Sequence, residues 1–256
     1  MRYNRFLVLL APAIVFVLLE FVFLFPKTFY FILLLANLAV LGPIFLFFKS
    51  SQTLKDWKYY VGEAILPFGF LTSVFIYSSL AINKFFVQFL FLAVVVFVYF
   101  YLRNIYYYFL DSSAGKSIPF KNISSLVNFS IIFFSASAIY GLQAFLNLPV
   151  WILMIFWATV SFLAVYQKFL ANKINQEKTL IYILISLVIL LEIGWAISFL
   201  PLTYNVLGLT LAIFYYILMG LIIHYLNESL TGKTIRAYLI FGALSIFFIF
   251  LTARWM

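Results

Sequence analysis

An all-α polytopic transmembrane bundle of about nine spans is predicted by three observations. Of 256 residues, 67% are hydrophobic and 9% are charged, which leaves too little polar surface to cover a water-soluble globule. The apolar residues fall in continuous runs of about 20, the length a helix needs to cross roughly 30 Å of hydrocarbon, and do not alternate as barrel strands do. The basic residues gather in alternate connections between those runs.

The spans are expected at 6–25, 28–48, 59–81, 85–105, 123–145, 150–167, 179–200, 204–226 and 237–253. Helix one follows Arg2 and Arg5 and stays apolar to Phe25. Its small-residue cluster, Ala11 to Ala13, comes too early for signal-peptide cleavage, so it reads as a retained helix. Pro26, Pro149 and Pro201 break the chain between helices one and two, five and six, and seven and eight. With the short link between helices three and four, this makes four tight antiparallel hairpins plus one final helix. Pro12, Pro43 and Pro67 fall inside spans and are expected to interrupt or kink them. At the third, the missing amide frees the carbonyl of Glu63, four residues earlier.

Charge gives orientation. Arg2, Arg5, Lys49, Lys55, Lys58, Arg103, Lys116, Lys121, Lys168, Lys173, Lys178, Lys233 and Arg236 lie at one end of the spans, against Lys27, Lys84 and Arg254 at the other. Translocating Lys and Arg is disfavoured, so the N-terminus is expected in the cytoplasm and the C-terminus outside. The net charge of +9 is topogenic on this reading, and no nucleic-acid partner is expected. No connection exceeds about 20 residues, so residues 1–256 read as a single transmembrane domain without a soluble one. The longest connection, near 106–122, is expected to begin in the headgroup region with Tyr106, Tyr107 and Tyr108.

The residues able to carry chemistry are few. The chain has no Cys and one His, His224, which excludes thiolate chemistry and His-based metal clusters, so no metal or cofactor is assigned. His224 reads as an interfacial residue. Gly115-Lys116-Ser117 and Gly232-Lys233-Thr234 lack the leading glycine of a phosphate loop, with Leu110 and Asn227 in its place. No diphosphate-binding acidic pair, His-Glu-x-x-His or Gly-x-Ser-x-Gly pattern occurs, and no catalytic residue is assigned.

Three carboxylates, Glu20, Glu63 and Glu192, fall within spans, where each costs about 2.5–3.5 kcal/mol at the bilayer centre on insertion scales. Glu192 lies some 13 Å before Pro201 and is the hardest to explain as a surface residue. Helix five is the most polar span. Its positions 124, 128, 135 and 138 share one face, and Ser137 and Gly141 form a small-xxx-small step on another, which predicts close backbone packing. Asn37 and Gln88 are expected to supply interhelix hydrogen bonds. Glu20, Gln143 and Glu192 each precede a hairpin proline, a pattern that a polar helix end followed by a breaker suffices to explain.

The function expected is that of a non-enzymatic, multi-pass component of the cytoplasmic membrane of a prokaryote. Its partners are membrane lipids, other membrane subunits or further copies of itself. The alternative is a small-solute or proton-coupled transporter with Glu192, Glu20, Glu63, Asn128, Gln143 and Asn37 along the pathway. A second alternative is an intramembrane enzyme acting on a lipid or isoprenoid substrate.

Overall fold

The computed structural model describes residues 2–50, 57–110, 120–172, 174 and 179–253. Among them are nine α-helices, all long and apolar enough to cross a membrane. They are α1 (Arg2–Leu24), α2 (Phe29–Ser50), α3 (Trp57–Ser78), α4 (Lys84–Leu110), α5 (Phe120–Leu146), α6 (Val150–Ala171), α7 (Thr179–Ile197), α8 (Tyr204–Leu226) and α9 (Gly232–Thr252). The chain is therefore a multi-pass membrane protein. Its all-α architecture is the one expected from the apolar runs, because in lipid a helix satisfies its own backbone polar groups.

Contacts divide the chain into two compact units, Met1–Asn122 and Ile123–Met256. In the first, α1 packs on α2 and α4, α2 on α3 and α4, and α3 on α4. Its interior is filled by fully buried side chains such as Leu19, Ile44, Phe47, Leu66, Phe75 and Leu102. A short 3₁₀ turn, Pro26–Thr28, joins α1 to α2 as a tight hairpin.

In the second unit α6, α7, α8 and α9 pack successively, and α6 also meets α8. A core that includes Trp157, Leu190, Leu211, Ala212 and Tyr215 holds these helices together. Helix α5 approaches α8 closely: a Cβ placed on Gly208 would collide with Ser137 Oγ and lie 2.8 Å from Ser137 N. Ser137 is the first member of the small-residue step read from the sequence, and Gly141 is buried as well. The α5–α6 hairpin turns at Asn147, whose φ of 50° is the left-handed conformation that ends many helices.

Several boundaries differ from the apolar runs because a helix need not stop where polarity begins. Helix α4 continues to Leu110, so Tyr106, Tyr107 and Tyr108 are helical and do not open a loop. Helix α6 runs to Ala171 and takes in Lys168. Helix α9 starts at Gly232, where Thr231 accepts a hydrogen bond from the Thr234 amide, so Lys233 and Arg236 are helical. Pro12, Pro43 and Pro67 lie inside continuous helices, none of which ends there. Lys55, Lys116, Lys173, Lys178 and the segment containing Asp111 and Pro119 lie outside the described residues.

Candidate functional site

Two polar clusters, one in each unit, stand out against the apolar interior. The first is built where Pro67 removes an amide from α3. A proline has no amide hydrogen, so the Glu63 carbonyl loses its usual partner inside α3. Tyr101 of α4 fills the gap, donating its hydroxyl to the Glu63 carbonyl oxygen at 2.7 Å. The same hydroxyl lies 2.8 Å from Glu63 Oε2. One phenolic proton serves two acceptors poorly, and both contacts become full hydrogen bonds when the carboxyl carries its own proton and donates to Tyr101. Tyr101 is fully buried.

Elsewhere in this unit Asn37 is buried on α2 and donates to Thr72 Oγ1 of α3 at 3.3 Å and to the Leu33 carbonyl at 2.9 Å. It thus makes the interhelix bond expected of it. Gln88, from which the same was expected, stands exposed on α4. Glu20 is half-buried, four residues before the end of α1. A cleft of about 520 Å³ opens between the α1–α2 and α3–α4 turns, lined by residues that include Phe29, Ser78 and Lys84, with none of the pathway residues among them.

The second cluster joins α5 to α6. Ser124 Oγ and Asn128 Nδ2 both donate to Gln167 Oε1, at 2.7 and 2.6 Å, and Asn128 Nδ2 also lies 3.2 Å from Ser124 Oγ. All three residues are at most 1% exposed. Lys168, the next residue of α6, is drawn into the same seam and donates to Ser125 Oγ. Asn128 Oδ1 is buried with no hydrogen-bond partner among the described residues. The cluster lies about 5–6 Å from the end of α6, so it combines the depth of a helix terminus with the dryness of a core.

Two further bonds tie α7 into its unit. Tyr140 of α5 donates to the Gly194 carbonyl at 2.7 Å, and Trp157 Nε1 of α6 donates to the Leu190 carbonyl at 3.0 Å. Gly194 lies in the last turn of α7, where carbonyls lack intrahelical partners, so Tyr140 caps a helix end that lipid could not satisfy.

Within each unit the pathway residues hold separate positions. Glu63 and Asn37 bond different partners, Asn128 is sealed in the α5–α6 seam, and Gln143 is half-buried near the end of α5. Glu192 stands on the exposed stripe of α7 with Leu184, Ile185, Val188 and Trp195. His224 Nδ1 lies 2.9 Å from Ser229 Oγ just beyond the end of α8. Tyr101, Tyr140, Gln167 and Lys168 are the residues sequence reasoning missed. The only advance signal was the orphaned Glu63 carbonyl, which demanded some donor. Among the described residues no group of three or more His, Asp or Glu side chains could hold a metal.

No curated protein and no solved structure matches the chain. Over residues 11–252 it matches the family described as "Protein of unknown function (DUF5656)". The nine membrane-length helices among the described residues thus characterise a chain that belongs to the DUF5656 family.

Proposed function

We propose that this protein is a non-enzymatic component of the cytoplasmic membrane that associates with lipids and with another membrane subunit, its basic helix ends facing the cytoplasm. The observation that carries the reading is the exposure of Glu192. Asn37, Tyr101, Asn128, Tyr140 and Trp157 each bond a neighbouring helix of their own unit, but Glu192 interrupts a stripe of α7 that is otherwise apolar and exposed. A carboxyl facing hydrocarbon is costly, and a hydrogen-bond donor on an adjoining membrane helix relieves that cost. The wide apolar faces support the same reading: α9 buries only Gly242 among its described residues.

Site-specific photo-crosslinkers at Val188 and Trp195 test it in native membranes. A crosslink to a second membrane polypeptide, reduced severalfold by Glu192→Leu and retained in Glu192→Gln, is the expected result. Crosslinking to lipid alone, or yields indifferent to Glu192, would overturn it.

One arrangement favours proton-coupled transport as the second reading. The Glu63 carboxyl accepts a hydrogen bond from the Tyr101 hydroxyl one turn before Pro67, and a carboxyl within a span is the kind of group that marks proton pathways. A proton-driven flux in proteoliposomes that disappears in Glu63→Gln would select this reading.

A further inference from the structure

The cleft between the α1–α2 and α3–α4 turns is graded like a lipid molecule, charged at its mouth and apolar below. Its volume is about 520 Å³, within the range of small-molecule sites. Lys84, Val87 and Phe91 share one face of α4 and line it together. Lys84 is exposed at the mouth, Val87 is buried, and Phe91 is fully buried about 10 Å further along the helix at 1.5 Å per residue. Phe23 of α1 meets Phe91 with ring centres 5.7 Å apart, and Tyr30 of α2 stands 82% exposed at the lip. No carboxylate lines the cleft.

We propose that this cleft binds an anionic phospholipid of the adjoining leaflet, its phosphate beside Lys84 and Tyr30 and an acyl chain running down Val87 and Phe91. The inference rests on the lipid-associating part of the reading above and gives it a site and a ligand class. Three features point to it.

The first is where the charge stands. Of the basic residues in the first unit, only Lys27 and Lys84 belong to the end where α1 and α3 finish, and they sit on the two turns that border the cleft. The second is that this charge is unspent. Both lysines are exposed, and neither side chain makes a hydrogen bond or ion pair with another described residue. An ammonium is a compact point charge that an anionic headgroup complements in sign, while its stem lies along apolar surface. The third is the gradient itself, because a soluble anion gains nothing from Val87, Phe91 and Phe23. Two lysines on separate turns also offer charge to a phosphodiester and to the headgroup beyond it, more than a fatty-acid carboxylate needs.

The test uses the intact protein purified in mild detergent, with bound lipids counted by native mass spectrometry. The protein is offered equal amounts of phosphatidylglycerol and phosphatidylcholine, alone or with millimolar glycerol phosphate or an equimolar amount of oleate. The expected result is a severalfold preference for phosphatidylglycerol that survives both competitors. That preference falls at least threefold in the Lys27→Gln/Lys84→Gln double variant. Lys49→Gln/Lys233→Gln, which removes the same charge elsewhere, is expected to match the parent.

An unchanged preference in the Lys27→Gln/Lys84→Gln variant overturns the site, as does an equal loss in Lys49→Gln/Lys233→Gln, which would reduce the effect to net charge. Should the double variant not fold, Lys84→Gln alone carries the comparison, with at least a twofold loss expected and no loss overturning the site. Displacement by glycerol phosphate overturns the lipid in favour of a soluble phosphate, and displacement by oleate overturns the phospholipid in favour of a single-chain acid. Retention of both phospholipids without preference overturns this inference and leaves the broader reading standing. Absence of any retained lipid on the parent protein overturns the lipid-associating reading itself.

Discussion

The Tyr101 hydroxyl lies 2.7 Å from the main-chain carbonyl and 2.8 Å from the carboxyl Oε2 of the same residue, Glu63. A side chain of α4 therefore repairs the hydrogen bond that Pro67 removes from α3 and anchors the only carboxyl of that helix. Repair and anchoring share one oxygen, so they are lost together.

Replacing Tyr101 with Phe is expected to destabilise the protein by about 1–3 kcal/mol, the usual cost of leaving a buried polar group without a partner. Pro67→Ala should recover part of the loss by restoring the amide to α3. Glu63→Gln, which can donate to the Tyr101 oxygen as a protonated carboxyl does, should change stability by less than about 1 kcal/mol. Unfolding in detergent measures all three. A Tyr101→Phe variant as stable as the parent would remove the pairing from any account of the fold.

The α5–α6 seam should behave as a coupled unit. Asn128→Leu and Gln167→Leu each strand the other's amide, whereas the double variant removes both partners and should cost less than the two single changes added together. The coupling expected from membrane double-mutant cycles is about 0.6 kcal/mol, with a ceiling near 1.7. Simple additivity in the same unfolding measurement would show the bonds to be energetically idle.

Close approach of α5 and α8 makes Gly208 intolerant. Gly208→Ala brings a methyl group to 2.8 Å from the Ser137 amide nitrogen, a main-chain atom that cannot step aside, and should cost about 1–3 kcal/mol. Gly232→Ala, where a methyl group meets nothing within 4 Å, should stay within about 0.5 kcal/mol of the parent. Equal effects from the two would mean that the α5–α8 contact is looser than the structure has it.

How much of this was legible beforehand follows from what each feature depends on. The nine helices were readable because lipid forces every apolar run of sufficient length into the same local structure. The close approach at Ser137 was readable as well, since small residues four apart mark a packing face. Other features depend on how one helix is rotated against another, which periodicity does not report. The loose carbonyl of Glu63 could be deduced from Pro67, yet nothing in the chain singled out Tyr101 from its many tyrosines as the donor. Lys168 was read as a loop charge because the apolar run stops at 167, and only the extra turn of α6 shows it buried against Ser125. Glu192 drew attention by its depth, and its exposed face became visible only once α7 had neighbours.

The bond from Tyr101 to Glu63 also bears on how the chain is made. Helix α3 is the least apolar of the nine described spans and the one whose missing hydrogen bond is restored by a donor 38 residues downstream. Until α4 has been synthesised, α3 would present both a bare carbonyl and a carboxyl to lipid. The two helices are thus suited to enter the bilayer as a pair.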